Sequence, residues 1–161
     1  MKNLQDLFQH EINDLYSAEK QLTEAFPSII KNATDSKLND LLTTYKNETE
    51  VQFEEIQSIC ESLGYNPRNT KCQAMEGLIK EAESLMSHDA ENDVMDAAII
   101  ARVQRIMHYE ISAYGTAVRF AKEIENSNIS NKLQSILDAK YNVDEQLGKL
   151  AKRRINEEAL A

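Results

Sequence analysis

The sequence predicts an all-α fold, an up-down four-helix bundle with a short extra helix in its long middle connection. Three observations predict it. The 161 residues include only 4 Gly and 2 Pro, which leaves little material for turns. Good helix formers such as Leu, Ala, Glu and Lys dominate the chain. Apolar residues recur three and four positions apart over long stretches, the spacing of one helix face. The length fits a single domain over residues 1–161.

Two long helices are predicted in the first half of the chain, at about residues 2–31 and 36–63. Each predicted inward face combines apolar side chains with one glutamate. The first face consists of Ile12, Leu15, Glu19, Leu22, Phe26 and Ile29. The second face consists of Leu38, Leu41, Tyr45, Glu48, Gln52, Ile56, Ile59 and Leu63.

Short polar segments mark the ends of the second helix. Its N-cap candidates are Thr34, Asp35 and Ser36, because their side-chain oxygens can accept from free backbone N–H groups. Gly64 is a typical C-terminal stop. The segment GYNPRNTK, residues 64–71, is the clearest predicted loop in the chain.

The second half contains one short and two long predicted helices. The short helix, at about residues 73–87, has one apolar side and is expected to lie across the bundle. The long helices are predicted at about 92–125 and 129–157. The inward face of the third long helix consists of Ile100, Val103, Met107, Glu110, Tyr114, Ala117, Ala121 and Ile124. That of the fourth consists of Leu133, Leu137, Lys140, Asp144, Leu147 and Ala151.

A carboxylate interrupts each of the four apolar faces near its middle. These carboxylates are Glu19, Glu48, Glu110 and Asp144. A buried carboxylate must be paired, hydrogen-bonded or bound to metal, because burial of a lone charge is very costly. One such residue per helix is the arrangement of carboxylate-bridged di-metal bundles. The alternative for any single one is an edge residue whose carboxylate reaches solvent. We predict that the four share one polar layer.

Charge and cysteine content exclude several classes of protein. The net charge of −9 is unfavourable for nucleic acid and for anionic membranes. The pair Arg153–Arg154 is a weak basic spot that we interpret as a solvated helix end. Cys60 and Cys72 do not have the spacing of a metal or redox motif. With no apolar leader or membrane-length segment in the sequence, we expect a cytoplasmic protein.

Several segments resemble the YciE/YciF-type ferritin-like stress proteins of bacteria over nearly the whole chain. The matching segments are LQDLFQHEINDLYSAEKQL, NETEVQFEEI, KCQAMEGLIKEAE, DAAIIARVQRIMHYEISAYGTA and VDEQLGKLA. The resemblance implies a ferritin-like bundle, a homodimer and an association with stress responses. It also implies a metal-ligand pattern.

Part of the family's ligand pattern is present in this chain. The resemblance carries the ligand role over to Glu19, Glu48, Glu110 and Asp144. His108 also matches the pattern on the third helix. It points to a different side of that helix from Glu110, so we expect it to contact a ligand residue or to lie at the surface rather than to bind metal itself.

Four other positions depart from that pattern. Tyr45 replaces a histidine, Met107 replaces a glutamate, and Ala139 and Lys140 replace a pair of glutamates. Tyrosine ionises only near pH 10, methionine is a soft ligand, and lysine carries a positive charge. Lys140 thus takes the electrostatic place of one metal ion, which leaves room for one divalent ion, iron or manganese, or for none. We predict that Lys140 lies within salt-bridge distance of at least one layer carboxylate.

Three functions are compatible with these residues to different degrees. The departures favour a stress protein with a degenerate di-metal site that acts through assembly or partner binding. The retained carboxylates favour a di-iron or manganese oxidase, peroxidase or ferroxidase-like enzyme. DNA protection is disfavoured by the net charge. We expect a homodimer, with no nucleic-acid or membrane partner.

Overall fold

The structure, a computed structural model, describes residues 1–64, 66–67 and 70–160, without the side chains of residues 153 and 154. Helices dominate this part of the chain and it contains no strand, which confirms the all-α class. The side chains of Arg153–Arg154 and three residues of the predicted 64–71 loop lie outside the described residues. The α-helices are α1 (Leu4–Asn32), α2 (Ser36–Ser62), α3 (Gln73–Met86), α4 (Asn92–Glu123), α5 (Ser127–Leu150) and the single turn α6 (Asn156–Glu158).

The helix ends follow the local sequence. Asn3 caps α1 by accepting from the backbone N–H of Asp6 at 2.8 Å. Asp35 is the N-cap of α2, as predicted, since its carboxylate accepts from two backbone N–H groups of the first turn. Gly64 adopts a positive φ of 75°, a conformation that favours glycine, just after the C-terminus of α2.

The four long helices form a square in which each is antiparallel to both of its neighbours. Between α1 and α2, Tyr16 packs on Phe53 and Phe26 packs on Tyr45. The later residue of α1 thus contacts the earlier residue of α2, so the two helices run in opposite directions. The other three neighbouring pairs show the same reversal of order. Their contacts are Thr34–Asp96 with Glu19–Tyr114 for α1 and α4, Gln104–Asp144 with Glu110–Lys140 for α4 and α5, and Tyr45–Lys140 with Glu55–Lys132 for α2 and α5.

Helix α3 lies across the bundle in the middle connection and contacts α1 and α4. It buries Met75, Ile79 and Ala82 against them. The apolar side of this helix is therefore covered within the same chain and gives no support for a dimer.

The C-terminal helix differs from the prediction of one helix to residue 157. Helix α5 ends at Leu150, a π-helical turn spans Ala151–Ile155, and α6 follows. The wider turn coincides with burial of Ile155, which is only 1% exposed. No helix within the described ranges is long and apolar enough to cross a membrane.

The apolar core is divided into two clusters by a polar layer. Leu22, Met107 and Val143 belong to one cluster, with Phe26 and most of the α3 contacts. Leu15, Tyr114 and Leu137 belong to the other. Between these two sets lie Glu19, Glu110 and Lys140, each one helical turn from a member of either cluster. The helices therefore bring three charged side chains to the centre of the bundle.

Candidate functional site

Lys140 is the centre of the polar layer. Its side chain is 1% exposed. Its Nζ donates to Glu110 Oε1 at 2.5 Å and lies 3.2 Å from Glu19 Oε1. Both glutamates are equally buried. The predicted proximity of Lys140 to the layer carboxylates is confirmed.

Two tyrosines complete the layer. Tyr114 Oη donates to Glu19 Oε1 at 2.6 Å, and Tyr45 Oη donates to Glu110 Oε2. Both tyrosine side chains are fully buried. The Lys140 Nζ lies 5.2 Å from the Tyr45 ring centroid and 5.7 Å from that of Tyr114. These distances permit a cation–π contribution in addition to the ion pairs.

The layer groups shift one another's protonation. The pKa of Glu110 is raised to about 7, mainly by burial. The positive charge of Lys140 lowers this pKa, whereas the negative charge of Glu19 raises it further. Burial lowers the pKa of Lys140, but the charges of Glu110 and Glu19 outweigh this effect and raise it overall. The pKa values of Tyr45 and Tyr114 are raised by burial and by the neighbouring carboxylates. Lys140 is therefore charged and both tyrosines are neutral donors near neutral pH.

Glu48 is not part of this layer, in contrast to the prediction. It is half-buried and lines a surface hollow with Thr44, Asn47, Val51 and Gln52. The next residue, Thr49, is fully buried in its place. The predicted inward face of α2 was therefore wrong by one residue at this turn.

Asp144 is also displaced from the layer. Its side chain is 25% exposed, and its Oδ1 lies 3.2 Å from His108 Nε2 and accepts from Gln104 Nε2 at 3.2 Å. The preceding residue, Val143, occupies the core. His108 is exposed, which confirms its predicted surface position.

The layer residues do not fit a di-metal centre. Only two of the four predicted carboxylates meet there, and Met107 packs in an apolar cluster. The Lys140 ammonium lies between the carboxylates, where it repels a cation. Over the described ranges, no three side chains of the His, Cys, Asp and Glu types form a possible metal site. The Lys140, Tyr45 and Tyr114 donors instead satisfy three of the four carboxylate oxygens.

A second polar cluster at the start of α3 was not predicted. Tyr109 Oη donates to Asp14 Oδ2 at 2.6 Å and lies 2.9 Å from Cys72 Sγ. The Cys72 N–H donates to Ser17 Oγ, and its carbonyl oxygen accepts from Gln21. Burial raises the pKa of the Cys72 thiol, so it is a poor nucleophile. These contacts join α3 to α1 and α4, and no sequence spacing indicates them.

The architecture and its residues agree with known proteins. A family model described as "Domain of unknown function (DUF892)" matches residues 3–160. The chain belongs to this family. Protein YciF of Escherichia coli K12 is 36% identical to this DUF892 chain over 160 residues, which cover 99% of the chain and 96% of the relative.

Two solved structures resemble this DUF892 chain closely. The crystal structure of the E. coli stress protein YciF has a TM-score of 0.92 at 36% identity, over 97% of this chain and 99% of that one. YcfI from Rhodopseudomonas palustris has a TM-score of 0.88 at 36% identity, over 92% and 94% of the two chains. The predicted family is therefore confirmed, together with its helical fold.

Proposed function

We propose that this chain is a stress-associated member of its family that works without di-metal redox chemistry, through self-assembly or partner binding. The association with stress is carried over from the E. coli relative, which is described as a stress protein. The ferritin-like di-metal site is degenerate in this proposal. A protonated lysine and two tyrosine hydroxyl groups replace the metal ions as partners of the core carboxylates.

One observation carries the proposal: the Lys140 Nζ contacts both core carboxylates, at 2.5 Å from Glu110 and 3.2 Å from Glu19. Two divalent ions would need the same carboxylates as ligands, and each would be repelled by the ammonium. A lysine in this position has a structural role, because it neutralises buried acid charge without metal. Unlike iron or manganese, a lysine side chain does not change oxidation state, so it does not support redox catalysis.

The alternative is a di-iron or manganese oxidase, peroxidase or ferroxidase-like enzyme that uses the retained carboxylates. Such an enzyme requires a ligand set that holds the metal in two oxidation states. Glu19 and Glu110 alone supply too few hard ligands, since Met107 and Lys140 provide no oxygen atoms. We therefore favour the non-catalytic function.

Metal analysis of protein purified without chelators tests the proposal. We expect well under one iron or manganese ion per chain, and no iron oxidation or peroxide consumption above background. The matched control is the triple variant Tyr45→His, Met107→Glu and Lys140→Glu, which restores the ligand types implied by the family resemblance. We expect this variant to take up metal towards two ions per chain.

Stoichiometric binding of two iron or manganese ions by the unmodified protein would overturn the proposal. So would oxidase activity that depends on added metal and is lost in Glu110→Gln.

The assembly part of the proposal is a homodimer, as the family resemblance implies. Binding of a further copy would also stabilise a small bundle. Light scattering across micromolar concentrations should give the mass of two chains, and a single-chain mass throughout would contradict it. We further expect a cytoplasmic location. Because the chain carries a net charge of −9, we also expect no binding to nucleic acid or membranes.

A further inference from the structure

We propose that the bundle binds one monovalent cation beside the Lys140 layer, held by Glu19 Oε2, Thr49 Oγ1 and Gln52 Oε1. These side chains are 1%, 0% and 7% exposed. Among the residues that the structure describes, none of the three oxygen atoms has a hydrogen-bond partner. Buried polar atoms without partners are costly and uncommon in folded proteins. Three of them on facing helices point to a bound group.

The helix register brings the three side chains to one level of the bundle. Thr49 and Gln52 are three residues apart, so they lie on the same face of α2. The pairs Phe26–Tyr45 and Tyr16–Phe53 fix the antiparallel register of α1 and α2. By this register Gln52 lies opposite the turn of α1 that contains Glu19. All three side chains therefore lie at one level of the bundle, Glu19 on α1 and the other two on α2.

The charge of the layer indicates what this site would bind. With both carboxylates ionised, Glu19, Glu110 and Lys140 together carry one net negative charge. Both oxygens of Glu110 and Oε1 of Glu19 already accept hydrogen bonds. The remaining negative charge is therefore accessible only at Glu19 Oε2. One singly charged cation at that atom would neutralise the layer.

The ligand types favour a monovalent over a divalent ion. One carboxylate oxygen, one hydroxyl and one amide carbonyl form a hard oxygen set with a single formal charge. Magnesium demands near-ideal octahedral geometry and gives up its water reluctantly. The Lys140 ammonium is 3.2 Å from the other oxygen of the same Glu19 carboxylate, and it repels a double charge twice as strongly as a single one. The proposed ligand class is thus an ion such as sodium or potassium.

A hollow of about 360 Å³ between α2 and α5 gives an entry route to the site. Gln52 lines this hollow, together with Val51 and Ile136, so its amide lies between the surface and the interior. Glu55 also lines the hollow and pairs with Lys132 at 2.5 Å. Lys132 lines the hollow as well, so this ion pair leaves its mouth without net charge towards a cation arriving from solvent.

Thermal unfolding at constant ionic strength tests the site. At pH 8, we expect the Tm to rise with increasing sodium or potassium chloride relative to choline chloride, because a ligand of the folded state stabilises it. The variants Thr49→Val and Gln52→Met each remove one proposed ligand and should abolish this difference. Gln57→Met is the matched control on the exposed side of α2 and should retain it.

Crystals soaked in rubidium chloride provide the structural readout. We expect one anomalous peak bounded by Glu19, Thr49 and Gln52. Equal Tm values in all three salts, or an ordered water at this position without an anomalous peak, would overturn the inference. A peak obtained only with manganese would overturn it as well. These outcomes are independent of the proposed function, which fails instead if two divalent ions occupy the carboxylates that contact Lys140.

Discussion

Two fully buried acids in this bundle are compensated in different ways. Asp96 accepts from the backbone N–H groups of Thr34 and Asp35 at 2.8 Å each, and from the Thr34 hydroxyl at 2.7 Å. Glu110 accepts instead from Lys140 and from the Tyr45 hydroxyl. Both side chains are 1% exposed. Only Glu110 relies on a formal positive charge.

The position of each acid along the helices explains this difference. Asp96 lies beside the α1–α2 connection, where backbone N–H groups are free and the positive end of the α2 dipole is near. Glu110 lies in the middle of the bundle, where backbone donors are already used within helices. A carboxylate there requires a side-chain cation, a proton or a metal. The bundle centre therefore depends on Lys140, whereas the helix connection needs only local geometry.

The largest effect is expected from Lys140→Met. This change leaves Glu19 and Glu110 buried without their cation, so it should destabilise the fold by roughly 3–5 kcal/mol in denaturant unfolding. Lys132→Met is the matched control on the same helix. Lys132 pairs with Glu55, and both side chains are more than a third exposed, so the loss of stability should stay below about 1 kcal/mol. Equal losses for the two variants would contradict the account.

A smaller effect is expected from Asp96→Ala. The change leaves three donors at the α1–α2 connection without their acceptor, so we expect a loss of about 2–3 kcal/mol. The exposed Asp89→Ala serves as a control and should change stability by less than about 0.5 kcal/mol. Chemical denaturation of both variants at neutral pH measures the difference. A loss for Asp96→Ala as small as that of the control would show that water replaces the missing acceptor.

The pH dependence of stability should report on the protonation of Glu110. The folded state holds the Glu110 proton more tightly than the unfolded chain, with a pKa of about 7 against 4.5. This contribution to stability is fully present below the unfolded value and is lost as the pH rises through 7. Between pH 5 and 8 we expect it to remove about 2 kcal/mol.

The control for this pH effect is Glu110→Gln, measured by urea unfolding at several pH values. It should be less stable overall, because Lys140 loses one charged partner, but its stability should fall less from pH 5 to 8. An unchanged slope in this variant would assign the pH dependence to another group.

The smallest effects are expected at the two predicted ligands outside the layer. Glu48→Gln and Asp144→Asn each replace a half-buried carboxylate, so each should change stability by no more than about 0.5 kcal/mol. Thermal unfolding in the presence and absence of a chelator checks this. A larger loss of stability relative to the unmodified protein, seen without chelator and absent with it, would instead indicate that the replaced carboxylate binds metal.

The sequence predicted the centre of the site better than its edges. Glu19 and Glu110 were identified because each interrupts an otherwise apolar helix face, whereas Lys140 was identified from the family resemblance, in which a glutamate takes its position. Glu48 and Asp144 were assigned to the same layer, but the adjacent Thr49 and Val143 take the inward positions. One residue corresponds to a rotation of about 100° on a helix, since a turn has 3.6 residues. The polar middle of α2 gave too weak an apolar pattern to fix that rotation.

Polar contacts between distant segments outside the layer could not be predicted. Asp96 is joined to Thr34 across 62 residues, and Tyr109 to Asp14 across 95 residues. Each of these residues looks like an ordinary polar helix or turn residue in the sequence. Helical periodicity describes one helix at a time, so it carries no information on which polar side chains meet after the helices pack.

A crystal structure of protein grown with excess manganese tests the central claim most directly. Its electron density shows the Lys140 side chain, and its anomalous difference map shows any manganese beside Glu19 and Glu110. The account predicts continuous side-chain density for Lys140 between the two carboxylates, with Nζ within about 3 Å of each, the usual range for charge-assisted hydrogen bonds. It also predicts no manganese peak among them. A strong peak coordinated by both Glu19 and Glu110, with the Lys140 side chain displaced from the layer, would contradict the account.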